Sequence, residues 1–330
     1  MNFQRQPEDQ LFYERYLHDF VPDRVFDAHA HMFDLRSCSA ARQEEMAGLP
    51  VVQGLNAVRD FMDWLHPGRE YAGTFFGEPD AEDLASQNRF VSEQIRVHPR
   101  FRGHFCIRPT DDPEWVRDEV LRLGLHGLKC YHSHSAFRPT WEAPITTYLP
   151  EPFWRIAHEQ EWTITLHMVK RQSVADPENQ QEIRTLCRRY PGVRLILAHS
   201  ARGFNPQHNI DGLAALRDLD NIWFDSSANC DAMAHIAILR IFGHRRLMYG
   251  SDFWVSHLRA LPVAAGDSFV WLYENSDAWA DGPNTPKPVL VGLENLRSLR
   301  WACWSQGLGD SQIEDIFFRN AETLWEVAAP

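Results

Sequence analysis

The run Asp27–Ala28–His29–Ala30–His31 follows the apolar pair Val25–Phe26 and carries an Asp-x-His-x-His pattern. In an extended strand, residues two apart point to the same side. His29 and His31 would then project together, with Asp27 one step deeper on the same face. Two imidazoles one pleat apart can reach a single metal ion. Alone the pair is only suggestive, because 16 histidines in 330 residues make chance pairs common, and His132/His134 is another. What gives it weight is the end of each later apolar run. Lys129 stands in Gly127–Tyr131, His167 follows Thr163–Leu166, His199 follows Leu195–Ala198, and Asp252 follows Tyr249–Gly250–Ser251. Taken singly, each has an ordinary reading: a core histidine, a snorkelling lysine, an aspartate capping the next helix. One shared metal site accounts for all of these run ends at once.

Other residues are weaker candidates. Arg108, ending Cys106–Ile107–Arg108, has the fork geometry to clamp a substrate carboxylate, or could pair with Asp111 or Asp112. Tyr131 and His132 could face a substrate. Arg202, three beyond His199, lies either in the mouth of the site or at the surface. Asp225 ends another run and could orient a ligand histidine. His134, His208, His244 and His257 read as surface or loop residues.

The elements that must position these side chains alternate in type. Short β-like runs occur at 24–28, 72–76, 103–107, 127–131, 162–166, 193–197, 222–225 and 247–249. Between them, 82–97, 113–123, 151–160, 179–190 and 212–219 show helical periodicity, with Pro, Gly and Asn at the junctions. Continuous apolar strands alternating with helices indicate a parallel sheet covered on its outside. Eight such units predict an α/β fold, a (β/α)8 TIM barrel over about residues 24–288, closed by C-terminal helices in 289–330. We read residues 1–330 as one domain. An open doubly wound sheet is the rival, but no GxGxxG or P-loop follows any run. Residues 35–69 and 253–287 are long connections where a barrel has its βα loops, and both are candidate lids.

Composition narrows the setting. The chain is 44% hydrophobic and 12% aromatic, enough for a sizeable core. Its formal charge of −12 has the wrong sign for coating phosphates, which argues against nucleic-acid binding. No apolar run is long enough for a membrane span. The polar N-terminus does not read as a signal peptide. Six scattered cysteines without a CxxC pair read as reduced, buried thiols. The expectation is a cytoplasmic protein acting on a small molecule, with a homo-oligomer left open.

Asp-x-His-x-His, then His, then His, then Gly-Ser-Asp, each at a strand end, resembles the amidohydrolase superfamily. The forms Leu-Ala-His199 and Tyr-Gly-Ser-Asp252, with the ending Ile313–Ala321, resemble its amidohydrolase-related (amidohydrolase 2) branch, over roughly residues 24–330. The resemblance implies a divalent metal on His29, His31, His167 and Asp252. These donors suit Zn²⁺ first, with Mn²⁺, Fe²⁺ or Co²⁺ as alternatives. Such an ion activates water and polarises a carbonyl. Asp252 would also take the water's proton, and His199 would polarise the substrate or ligate a second metal. An ammonium has no lone pair, so Lys129 could bridge two ions only as a carbamate. Otherwise it stays cationic and holds a substrate carboxylate. We adopt one ion with cationic Lys129. Arg108, His132 and Arg202 complete the substrate-binding set. The function implied is hydrolysis of a C–O or C–N bond (lactone, ester or amide) in a small, anionic substrate. The alternative is a metal-dependent non-oxidative decarboxylase of an aromatic or unsaturated acid. A non-enzymatic barrel with a structural metal is the third class.

Overall fold

The computed structural model describes residues 3–279 and 287–327. Eight parallel barrel strands appear in the expected order. They are Arg24–His31, Glu70–Phe76, a third in two pieces (Arg102–Gly103 and Phe105–Cys106), Gly127–Cys130, Thr163–Leu166, Arg194–Leu197, Ile222–Asp225 and Leu247–Met248. The third breaks at His104 because its two halves serve different neighbours. Arg102 and Gly103 pair with Thr74 and Phe75 of the second strand, whereas Phe105 and Cys106 pair with Leu128 and Lys129 of the fourth. The ring closes where Ala28 N donates to Tyr249 O at 2.8 Å and His31 N donates to Phe253 O at 3.0 Å.

Local sequence explains where helices begin. Asp83, Asp112 and Asp176 accept hydrogen bonds from the first-turn amides of Leu84–Ile95, Pro113–Leu123 and Pro177–Arg189. Proline at the first position of the latter two loses nothing, since that amide has no helical partner. The helix expected at 212–219 instead spans Pro206–Gly212, followed by a 3-10 turn at Leu213–Leu216. The Asn205 side chain caps Gln207 N, and Pro206 then starts the helix early.

The tail covers the N-terminal end of the barrel. Trp325 stacks on Phe26 of the first strand at 5.6 Å, and its Nε1 donates to Thr163 Oγ1 at 3.1 Å. The helix Val291–Ser305 packs on Ala232–Phe242, outside the last strands. The N-terminal helix Pro7–Tyr16 is pinned by a buried bidentate pair, Arg259 to Asp9, at 2.9 and 2.5 Å. The segment after Asp252 includes an antiparallel hairpin, Ala260–Ala265 with Ser268–Tyr273. Residues 280–286 of that candidate lid lie outside the described residues. Among the described residues no helix is long and apolar enough to cross a membrane.

Candidate metal centre

The first strand runs through both histidines rather than ending before them. Its register slips between Asp27 and Ala30, because Asp27 pairs with Gly73 and Ala30 with Phe75. His29 and His31 still converge. Their Nε2 atoms lie 3.5 and 3.6 Å from one oxygen, Asp252 Oδ1. The three donor atoms fall within 4.8 Å of one another, and all three residues are buried.

The opposite nitrogens explain why these face inward. His29 Nδ1 is 2.9 Å from Asp225 Oδ2, and His31 Nδ1 is 3.0 Å from the Gly77 carbonyl. Carbonyls and carboxylates only accept, so both Nδ1 atoms carry the proton and both Nε2 atoms present lone pairs. His199 obeys the same rule, with Nδ1 3.1 Å from the Ser227 carbonyl. Burial pushes the His29 imidazolium down to about 4, reinforced by Lys129 and opposed by Asp225 and Asp252. Burial raises the Asp252 carboxyl, but His199, His31 and His29 overcome it and hold the acid below its ordinary value. A neutral imidazole pair facing a carboxylate is a donor set that fits Zn²⁺ or a similar ion. Asp225 completes a second group with His29 and His199. Its oxygens, however, are taken by His29 Nδ1, by His199 N at 3.0 Å and by Ser227 N at 3.1 Å. It braces His29 through the ring and His199 through the backbone.

Asp27 lies deeper and takes no place among the donors. It accepts from His29 N at 3.0 Å, Ser251 N at 2.8 Å and Tyr71 Oη at 3.0 Å. The carboxylate thus ties the first strand to the segment that carries Asp252.

His199 and Arg202 come from an unusual piece of backbone. Residues 199–202 have φ of 57°, 53°, 57° and 55°, a single left-handed turn. Each such residue costs roughly 1–2 kcal/mol. Side chains hold the turn: Asn209 Nδ2 donates to Ser200 O, Ser173 Oγ to Ala201 O, and His235 Nδ1 meets Ser200 Oγ at 2.9 Å. The turn brings Arg202 back to the site, where its Nη1 lies 3.3 Å from His167 Nε2. Arginine can only donate, so His167 Nε2 also presents a lone pair, and its Nδ1 is buried with no hydrogen-bond partner among the described residues. His167 meets His199 edge-on, with ring centroids 5.0 Å apart, but is not among the closest three donors.

Lys129 is completely buried beneath them. Its Nζ is 3.3 Å from His29 Nε2 and stands over the Phe76 and Tyr131 rings at 4.7 and 4.9 Å. Burial lowers its pKa, against the pull of Asp225 and Asp252. Arg202 stands against the Trp141 and Phe269 rings at 5.1 and 5.6 Å, and burial lowers it to about 10. Among the described residues neither cation has a carboxylate within ion-pair distance. His132 packs on Trp141 at 4.3 Å and on His167 at 5.7 Å, placing it in the same wall.

Arg108 is not brought to the site. Its guanidinium donates to the carbonyls of Ala81 and Glu82 at 3.1 and 3.0 Å, so it neither clamps a ligand there nor pairs with Asp111 or Asp112. Asp111 instead accepts from the Arg108 backbone amide at 2.7 Å. His257 lies in a loop helix yet is fully buried, with Nε2 2.8 Å from Phe61 O. His208 is also buried, against Asp267 at 3.1 Å. Sequence reading missed the Gly77 carbonyl, Ser227, Trp141 and Phe269. Ser227 was recoverable, standing two past Asp225 at a strand end. The others have no signal in local spacing.

A closed eight-strand barrel with converging His, His and Asp donors at the C-terminal strand ends defines a metal-dependent barrel enzyme. The chain belongs to the amidohydrolase family, whose model matches residues 26–327. No curated protein matches the sequence significantly. Among solved structures it is similar to a proposed 2-pyrone-4,6-dicarboxylic acid hydrolase from Pseudomonas putida. That match has 17% identity and a TM-score of 0.58, and covers 94% of this chain and 100% of the other. A Burkholderia multivorans amidohydrolase with bound zinc has 14% identity and a TM-score of 0.58, covering 92% and 100%. A dihydroxybenzoic acid decarboxylase from a Polaromonas species, with manganese and 2-nitroresorcinol bound, has 15% identity and a TM-score of 0.54, covering 93% and 98%. At such identities the likeness speaks for the fold.

Proposed function

We propose that this protein hydrolyses a C–O or C–N bond of a small anionic substrate, using one divalent metal ion held by His29, His31, His167 and Asp252. One observation carries the reading: two Nε2 lone pairs, each fixed from behind, meet the same Asp252 oxygen at 3.5 and 3.6 Å. When bound, Zn²⁺ would supply Lewis acidity and a water of lowered pKa. Asp252, kept ionised by the imidazoles around it, takes the proton of the attacking water and passes it to the leaving group. His199, whose Nε2 has no hydrogen-bond partner among the described residues, accepts a hydrogen bond from the substrate or the water. Lys129 and Arg202 neutralise the anion, since the buried Lys129 and the half-buried Arg202 have no carboxylate partner among the described residues. Bacterial relatives in fold with zinc and manganese support the metal class. The six free cysteines fit a reducing, cytoplasmic compartment.

Metal analysis of protein expressed with added zinc tests the reading. We expect one equivalent in the wild type and in Lys129→Met. Two equivalents, falling to one in Lys129→Met with a CO₂ mass increase on the wild-type Lys129 peptide, would establish the carbamate-bridged pair instead. Substantially less than one equivalent would end the catalytic model. Lactones, esters, amides and hydroxybenzoates are then screened in isotopically labelled water.

Decarboxylation is the second reading. It is favoured by Lys129 standing over the Phe76 and Tyr131 rings, a setting for a flat carboxylic acid. CO₂ release without label incorporation selects it.

A further inference from the structure

The hairpin that follows Asp252 crosses the mouth of the barrel. Its strands pair from Ala260 with Tyr273 to Ala265 with Ser268. Six residues reach about 20 Å. At its base Glu274 N donates to Arg259 O at 2.9 Å, on the side of the eighth strand. Its tip lands on the loops after the fifth and sixth strands. There Asn205 Nδ2 donates to Gly266 O and Ser268 O at 3.0 Å each, and Asp267 takes His208 at 3.1 Å and Gln172 at 3.4 Å.

Alternate residues share a face, so Phe269 and Trp271 point the same way. Both meet Phe204, at 4.7 and 5.8 Å, and Phe204 in turn stacks on His199 at 5.7 Å. Phe269 also lies against the Arg202 guanidinium, which has no ion-pair partner among the described residues. The contacts at the tip are few and polar, and Ala264, Ala265 and Val270 are exposed. Opening it breaks those polar contacts and the Phe204 ring contacts, while the rest of the barrel is untouched.

We propose that the Ala260–Tyr273 hairpin is a substrate lid, and that Phe269 on it selects flat anions by covering a carboxylate bound to Arg202. This rests on the anionic-substrate reading above. A guanidinium takes a carboxylate through two parallel hydrogen bonds. The adjoining Phe269 and Trp141 rings then offer faces to a planar group, which a puckered ring cannot match.

The test compares benzoate with cyclohexanecarboxylate, acids of equal charge that differ in flatness. Calorimetric titration uses the zinc-loaded protein. Wild type should prefer benzoate by roughly two- to tenfold, the range of one aromatic contact. Phe269→Ala should lower the preference at least twofold, leaving what the Trp141 ring supplies. Phe269→Leu, which keeps the bulk, should do the same, so a folding defect in the alanine variant does not decide the matter. Limited proteolysis should cut the hairpin faster in Asp267→Ala, and benzoate should protect it in the wild type. An unchanged preference in Phe269→Leu, no preference in the wild type, or no protection by benzoate overturns the proposal. Arg202→Met should lose both acids. If it binds both as the wild type does, the anionic-site reading itself fails, independently of the lid.

Discussion

Asp225→Asn isolates the role of the group behind His29, a proposed metal ligand. The carboxylate is fully buried and accepts from His29 Nδ1 at 2.9 Å, from His199 N at 3.0 Å and from Ser227 N at 3.1 Å. Burial raises its pKa, but His29, His199 and Ser227 together hold it below its ordinary value, so it is an anion at neutral pH. The substitution keeps the shape and removes the charge. Its amide –NH₂ competes for the position facing His29 Nδ1. Where it does so, Nδ1 must accept, the proton moves to Nε2, and the lone pair aimed at Asp252 is lost. Partners of this kind are worth 10–100-fold in metal affinity, which is about 1.4–2.7 kcal/mol. Competition against a chromogenic chelator, with metal content measured on the same samples, gives the zinc Kd of both proteins. The expected rise is 10–100-fold, with circular dichroism unchanged. A Kd within twofold of the wild type would refute the claim that Asp225 sets the tautomer of His29.

Three further outcomes follow from the geometry. Asp9→Ala leaves Arg259 buried without its carboxylate, and breaking such a pair costs about 3–5 kcal/mol, readable as a lower urea midpoint. Gly77→Ala places a Cβ 2.6 Å from Gln87 Cβ, which must move the carbonyl that orients His31, so zinc affinity should fall while Gly124→Ala leaves it unchanged. Acid should weaken the fold through its buried histidines. Burial lowers His235 and His257 to about 4 from an ordinary 6.5, so the unfolded chain takes up their protons first. Their contribution is complete above about pH 6.5 and is lost as pH falls toward 4, by about 3 kcal/mol for each. His235→Gln should flatten the dependence of unfolding free energy on pH in that window; an unchanged slope would count against it.

The barrel was legible because strand and helix periods are local. Apolar runs of four to eight residues alternated with capped, amphipathic segments, and the polar residues closing those runs fell at the C-terminal ends of real strands. The errors have local causes as well. The helix expected at 212–219 was displaced by the Asn205–Pro206 start, and the first strand absorbed His29 and His31 instead of stopping before them. Arg108 matched its expected strand end but turned to the carbonyls of Ala81 and Glu82, a choice made by a loop 26 residues away in sequence.

What the sequence determined by itself is which polar residues close the apolar runs: His29, His31, Lys129, His167, His199 and Asp252. Only the tertiary structure decided which nitrogen each imidazole presents. That depends on acceptors supplied by other strands, the Asp225 carboxylate and the carbonyls of Gly77 and Ser227. It also decided that Arg202 reaches the site at all. A left-handed turn held by Asn209, Ser173 and His235 redirects the chain there, and no spacing rule for strands or right-handed helices contains that turn.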